Sequence, residues 1–181
     1  MNITLIGMPG SGKSTIGVLL AKRLGMEFVD TDLLIQKREK RRLPEIIARE
    51  GMDRFLEIEN EVNASLNVEN TIIAPGGSAV YGREAMEHFR EISTVVYLKL
   101  SLRELKKRLG DLKSRGVVCK EGETLAYVMR ERAPLYEQYA DLIVVEKQYD
   151  VGPTVDELRA HFEPILHSQR EDTSASPDSK K

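Results

Sequence analysis

Gly7-Met8-Pro9-Gly10-Ser11-Gly12-Lys13-Ser14-Thr15 fits the pattern G-x-x-x-x-G-K-[ST], a spacing that can cradle the phosphates of a nucleotide. Glycines let consecutive backbone N–H groups turn inward toward one point. A helix starting there adds its positive end and its unpaired N–H groups. Lys13 can reach the β- and γ-phosphates, and the Ser14 hydroxyl can ligate Mg²⁺. The expected ligands are a nucleoside triphosphate and Mg²⁺, held by Gly10, Ser11, Gly12, Lys13, Ser14 and Thr15.

Other residues could complete the chemistry. Asp30 and Asp32 flank Thr31, and in an extended chain their side chains point opposite ways. Asp30 would then support the metal, which wants oxygen ligands beyond Ser14. Asp32 would accept a proton from an attacking hydroxyl. The competing reading is that Thr31 or Asp32 caps a helix beginning near residue 33. Gly76-Gly77 is either a plain turn or bare backbone open to a hydroxylated acceptor. Arg115 sits in a polar stretch between glycines. It can neutralise charge on a moving phosphoryl group if that stretch closes as a lid, or it is an exposed loop arginine. Arg130 and Arg132 lie two apart on a predicted helix and cannot share a face, so at most one points into a site. Cys119 has no activating neighbour and reads as inert.

Positioning these groups falls to a regular alternation of apolar runs and helical patterns. Strands are predicted over 3–6, 27–29, 70–74, 94–98 and 142–145. Helices are predicted over 16–24, 33–40, 43–49, 53–66, 82–90, 102–109, 123–139 and 153–167. That order dictates an α/β fold, a parallel sheet with helices on both faces. Ligands bind such sheets at the carboxyl ends of the strands. The phosphate loop, Asp30-Thr31-Asp32 and Gly76-Gly77 each follow a strand directly, so all three belong on one rim. Residues 110–122 form a long polar break, read as a lid loop. Residues 168–181 have almost no apolar content and read as a disordered tail, leaving one domain over 1–167.

The chain has 181 residues, 41% hydrophobic and 31% charged, with a net charge of −2 and a pI near 6.0. That balance gives no reason to expect nucleic acid or an anionic membrane as a partner. No run has the length of a membrane span, and no signal peptide is evident. One cysteine and three histidines exclude an internal disulfide and a Cys/His metal cage. A cytoplasmic monomer acting on a small molecule is expected.

Several segments, in order, resemble the shikimate kinase family. They are the phosphate loop, Phe28-Val29-Asp30-Thr31-Asp32, the helix carrying Phe55 and Glu59, Gly76-Gly77, and Arg132-Ala133-Pro134-Leu135-Tyr136. The resemblance implies a P-loop fold akin to nucleoside monophosphate kinases, and ATP-dependent phosphorylation of shikimate to shikimate 3-phosphate. It implies that Asp30 supports Mg²⁺, that Asp32 contacts the reacting hydroxyl, and that Arg132 helps hold the substrate carboxylate. By position, Arg108 and Arg115 match lid arginines that contact nucleotide and phosphate. Three positions depart from the family. Leu56 stands where an arginine grips the carboxylate, Ser78 replaces a third glycine, and Gly116 follows Arg115 where proline is usual. All three touch the acceptor or the lid. The alternatives are therefore a kinase of the same fold for another small alcohol or a nucleoside monophosphate, or a nucleotide-binding regulator without turnover. Arg54 lies two residues from Leu56 and would point away from it.

Overall fold

Five short strands form one parallel sheet in a computed structural model that describes residues 1–109, 123–146 and 150–174. They are β1 (Ile3–Ile6), β2 (Glu27–Asp30), β3 (Thr71–Ala74), β4 (Thr94–Lys99) and β5 (Leu142–Val145), in the order β2-β3-β1-β4-β5. The helices are α1 (Lys13–Leu24), α2 (Thr31–Glu39), α3 (Leu43–Glu50), α4 (Met52–Ala64), α5 (Arg83–Ile92), α6 (Leu102–Leu109), α7 (Leu125–Tyr139) and α8 (Gly152–Ser174).

Successive strand residues face opposite sides of a sheet, and apolar side chains on both sides let helices pack on both. Ile3, Leu5, Ile72, Val96 and Leu98 meet Ile16 and Leu20 of α1 and Leu158 and Phe162 of α8. Their alternates Ile6, Ile73, Val95 and Tyr97 meet Met86 and Phe89 of α5, Leu105 of α6, and Val128 and Tyr136 of α7. A third cluster, Ile35, Ile46, Phe55, Ile58 and Val62, binds α2, α3 and α4 to one another. Gly51, at φ 84°, separates α3 from α4 where the sequence places the break.

Three expectations change. Helix α2 starts at Thr31, so Asp30 and Asp32 do not share an extended segment. A 3₁₀ turn, Ala79–Tyr81, follows the Gly76-Gly77 loop, where no element was predicted. Helix α8 runs to Ser174, seven residues into the stretch read as tail from 168. Residues 175–181 and the expected lid 110–122, with Arg115, Gly116 and Cys119, lie outside the described residues. Among the described residues no helix is long and apolar enough to cross a membrane.

Candidate active site

The loop after β1 closes on itself through Ser11 N–H, which donates to Met8 O at 3.0 Å. Gly10 and Gly12 hold φ of 80° and 88°, left-handed values that side-chain-bearing residues avoid. Helix α1 then begins with no capping side chain and no acid in its first turn. Most helices blunt their positive end with one or the other. Here that end stays available to an anion. Lys13 arches back over the loop, its ammonium donating to Gly7 O at 2.9 Å and Met8 O at 3.2 Å. Burial pulls the Lys13 pKa down to about 8, against the opposing pull of Asp32.

β2 delivers Asp30 beside this loop. The Ser14 hydroxyl donates to Asp30 Oδ2 at 2.8 Å, while Asp30 Oδ1 accepts from Asp32 N–H at 3.1 Å. Asp30 is thus the N-cap of α2, a role that the competing reading of the sequence gave to Thr31 or Asp32. Asp32, relieved of capping, turns its carboxyl toward Gly76. Burial first, and the Asp30 charge second, raise the Asp32 pKa to about 6.

The loop after β3 closes the far wall. A Cβ on Gly76 would collide with Glu59 Oε1 and lie 2.9 Å from Asp32 Oδ1, and one on Gly77 would lie 2.6 Å from Pro9 Cδ. The glycines are required because two carboxylates and the phosphate loop already fill that space. Together these parts line a cleft of about 280 Å³ that includes Lys13, Ser14, Asp30, Asp32, Gly76 and Gly77.

Glu59 is the residue whose chemistry sequence reasoning missed. It is 1% exposed, and neither of its carboxyl oxygens has a hydrogen-bond partner among the described residues. Burial lifts its pKa to about 7, and the nearby Ser78 hydroxyl works against that. A signal was present: Glu59 lies one turn from Phe55 and next to Ile58 on the apolar stripe of α4, where a carboxylate has no structural reason to be.

Helix α7 brings in Arg132. Its buried face carries Val128, Arg132 and Tyr136 at four-residue spacing. Arg132 is 2% exposed and close enough to influence Lys13 and Glu59 electrostatically. Arg130 points elsewhere, 5.6 Å over the Tyr127 ring. Tyr136 donates to Gly77 O at 2.5 Å and stacks on Tyr97, tying α7 to the site. Arg108, on α6, donates to Ser11 O at 3.3 Å and pairs with the buried Glu146 carboxylate at 3.0 Å. Arg54 pairs with Glu57 and Glu61 at the surface. Leu56 packs against the α2–α3–α4 cluster and borders a second cavity of about 500 Å³ with Tyr81.

Thr15, exposed on α1, lines the same cleft. Ser14 Oγ and Asp30 Oδ2 form a hard-oxygen pair suited to an ion that takes its other ligands from water and phosphate, as Mg²⁺ does.

The family described as shikimate kinase matches the chain over residues 9–162. The shikimate kinase of Mycobacterium avium (strain 104) is 40% identical over 157 residues, covering 83% of this chain and 87% of that protein. The shikimate kinase of Moorella thermoacetica is 35% identical over 169 residues, covering 92% and 97%. Among solved structures, a shikimate kinase from Acinetobacter baumannii in complex with shikimate superposes with a TM-score of 0.78. It is 29% identical over 92% of this chain and 93% of its own.

Proposed function

The chain belongs to the shikimate kinase family, and from that membership we propose that it transfers the γ-phosphoryl group of ATP to a hydroxyl of shikimate. One observation carries the reading beyond membership. An uncapped, acid-free helix start with Lys13 arched over it stands in the same cleft as a carboxylate, Asp32, that has no capping duty. The first arrangement suits a triphosphate. The second suits an alcohol.

Catalysis of this kind is mostly positioning and charge neutralisation. The loop amides and Lys13 hold the β- and γ-phosphates. The acceptor oxygen attacks the γ-phosphorus, the bond to the β–γ bridging oxygen breaks, and ADP leaves. Asp32 accepts a hydrogen bond from the acceptor hydroxyl, aims it, and takes its proton. Ser14 and Asp30 would hold Mg²⁺, which neutralises phosphate charge when bound. Arg132 faces the acceptor's carboxylate, and Arg108 and Arg115 serve the nucleotide.

The test is acceptor-dependent ADP release across a panel of small hydroxy acids and alcohols, shikimate among them. Shikimate should give the highest kcat/KM, and Lys13→Ala should remove turnover with every acceptor. Turnover on AMP or CMP in preference, or none with any acceptor, would overturn the assignment.

A further inference from the structure

Among the described residues three cations are buried, Lys13, Arg108 and Arg132. Lys13 and Arg108 both touch the phosphate loop. Of these three, Arg132 is the one that suits a carboxylate on the acceptor, close enough to influence Lys13 and Glu59 electrostatically, while position 56 is leucine and Arg54 pairs with Glu57 and Glu61 at the surface.

A guanidinium recognises a carboxylate through a planar fork, so its value depends on the orientation of its plane. Tyr81, at the end of the 3₁₀ turn, engages that plane in two ways, alongside the neighbouring Tyr136. Its ring lies under the guanidinium, 5.0 Å from ring centroid to Cζ, a favourable cation–π distance. Its hydroxyl oxygen accepts from Arg132 Nε at 3.2 Å. A hydroxyl that accepts must send its own proton elsewhere, and Tyr81 points it toward Glu131 Oε2 at 3.4 Å. The other oxygen of Glu131 is held by the Tyr127 hydroxyl at 3.2 Å. The chain Tyr127, Glu131, Tyr81, Arg132 therefore has one direction of proton donation at the tyrosine, and it polarises Tyr81 as an acceptor.

We propose that Tyr81 is a positioning residue for acceptor recognition. By engaging the Nε edge and the face of Arg132, it orients the guanidinium that this reading assigns to the acid group of the substrate, in a site where position 56 is leucine. This rests on the shikimate kinase reading.

The test compares wild type, Tyr81→Phe, Arg132→Lys and the double variant by steady-state kinetics with shikimate and ATP. Tyr81→Phe keeps the ring and loses the bond to Nε. Its KM for shikimate should rise about five- to tenfold, while kcat and the KM for ATP stay within about twofold of wild type. Lysine has no Nε–H to present to Tyr81, so adding Tyr81→Phe to Arg132→Lys should change the shikimate KM no further. An unchanged shikimate KM in Tyr81→Phe, equal rises in both KM values, or a full additional penalty in the double variant would each overturn the proposal. Absence of wild-type turnover on shikimate would overturn the kinase reading and this proposal with it. Wild-type turnover with an unaltered Tyr81→Phe profile would overturn the proposal alone.

Discussion

Glu59 and Asp32 crowd around Gly76, with Lys13 lining the same cleft, and burial shifts each toward its neutral form, to about 7, 6 and 8. The consequence for stability has a definite sign. Glu59 ionises near 4.5 in the unfolded chain and near 7 in the folded one. The folded state therefore binds the extra proton between those values, and stability present below pH 4.5 is lost as pH rises through 7. Glu59→Gln removes that loss. Its urea stability relative to wild type should improve by roughly 1–3 kcal/mol on going from pH 5 to pH 8. A difference that does not change with pH would show Glu59 to be ionised throughout. Leu56 gives a second prediction. Leu56→Arg introduces a cation where the family resemblance implies an arginine for the carboxylate, and should lower the KM for shikimate about tenfold. An unchanged or higher KM would mean that Arg132 alone suits this pocket. The phosphate-loop residues were legible in the sequence because their spacing is local. Glu59 and Tyr81 were not, because their meaning comes from partners on other elements: Gly76 and Ser78 for one, Arg132 and Glu131 for the other.

Elements set how the aspartates divide their work. An extended Asp30-Thr31-Asp32 would let either carboxylate serve metal, substrate or cap. Because α2 begins at Thr31, Asp30 both caps α2 and meets Ser14, and Asp32 is released into the cleft. Asparagine caps as well as aspartate does but carries no charge for a cation. Asp30→Asn should keep wild-type thermal stability and lose Mg²⁺-dependent turnover. Asp30→Ala should lose turnover and a further ~1 kcal/mol of stability. If Asp30→Asn retained full activity, the residue would be a cap only. Strand and helix order were readable because each run shows its own period, and the strands agree with prediction to within a residue or two. The main boundary errors fall at α1, which starts three residues before the predicted Ile16, at α2 and at α8. An aspartate at a strand end starts α2 early. Helix α8 continues through polar residues that hydropathy alone reads as tail.

At the scale of the whole molecule, β1, β3 and β4 contribute to the cores on both faces of the sheet. The site lies across the carboxyl ends of β1, β2 and β3, so nucleotide binding should stabilise the domain as a unit. Saturating ATP with Mg²⁺, at about a hundred times its Kd, should raise Tm by about 5–10 °C. In Lys13→Ala, which lacks the cradle's ammonium, the rise should be much smaller. Equal shifts in both proteins would mean that the nucleotide binds elsewhere. The α/β class and the shared rim followed from the alternation of elements. The reach of α7, which carries Arg132 and Tyr136 back to the glycine loop after β3, did not, because nothing local to residues 125–139 says which strand end that helix faces.

The most direct measurement is identification of the product by phosphorus NMR after incubating the protein with ATP, Mg²⁺ and shikimate. The expected result is one phosphate monoester of shikimate for each ADP formed. ADP accompanied only by inorganic phosphate, or no loss of ATP from well-folded protein, would contradict a site built to aim an alcohol at a triphosphate.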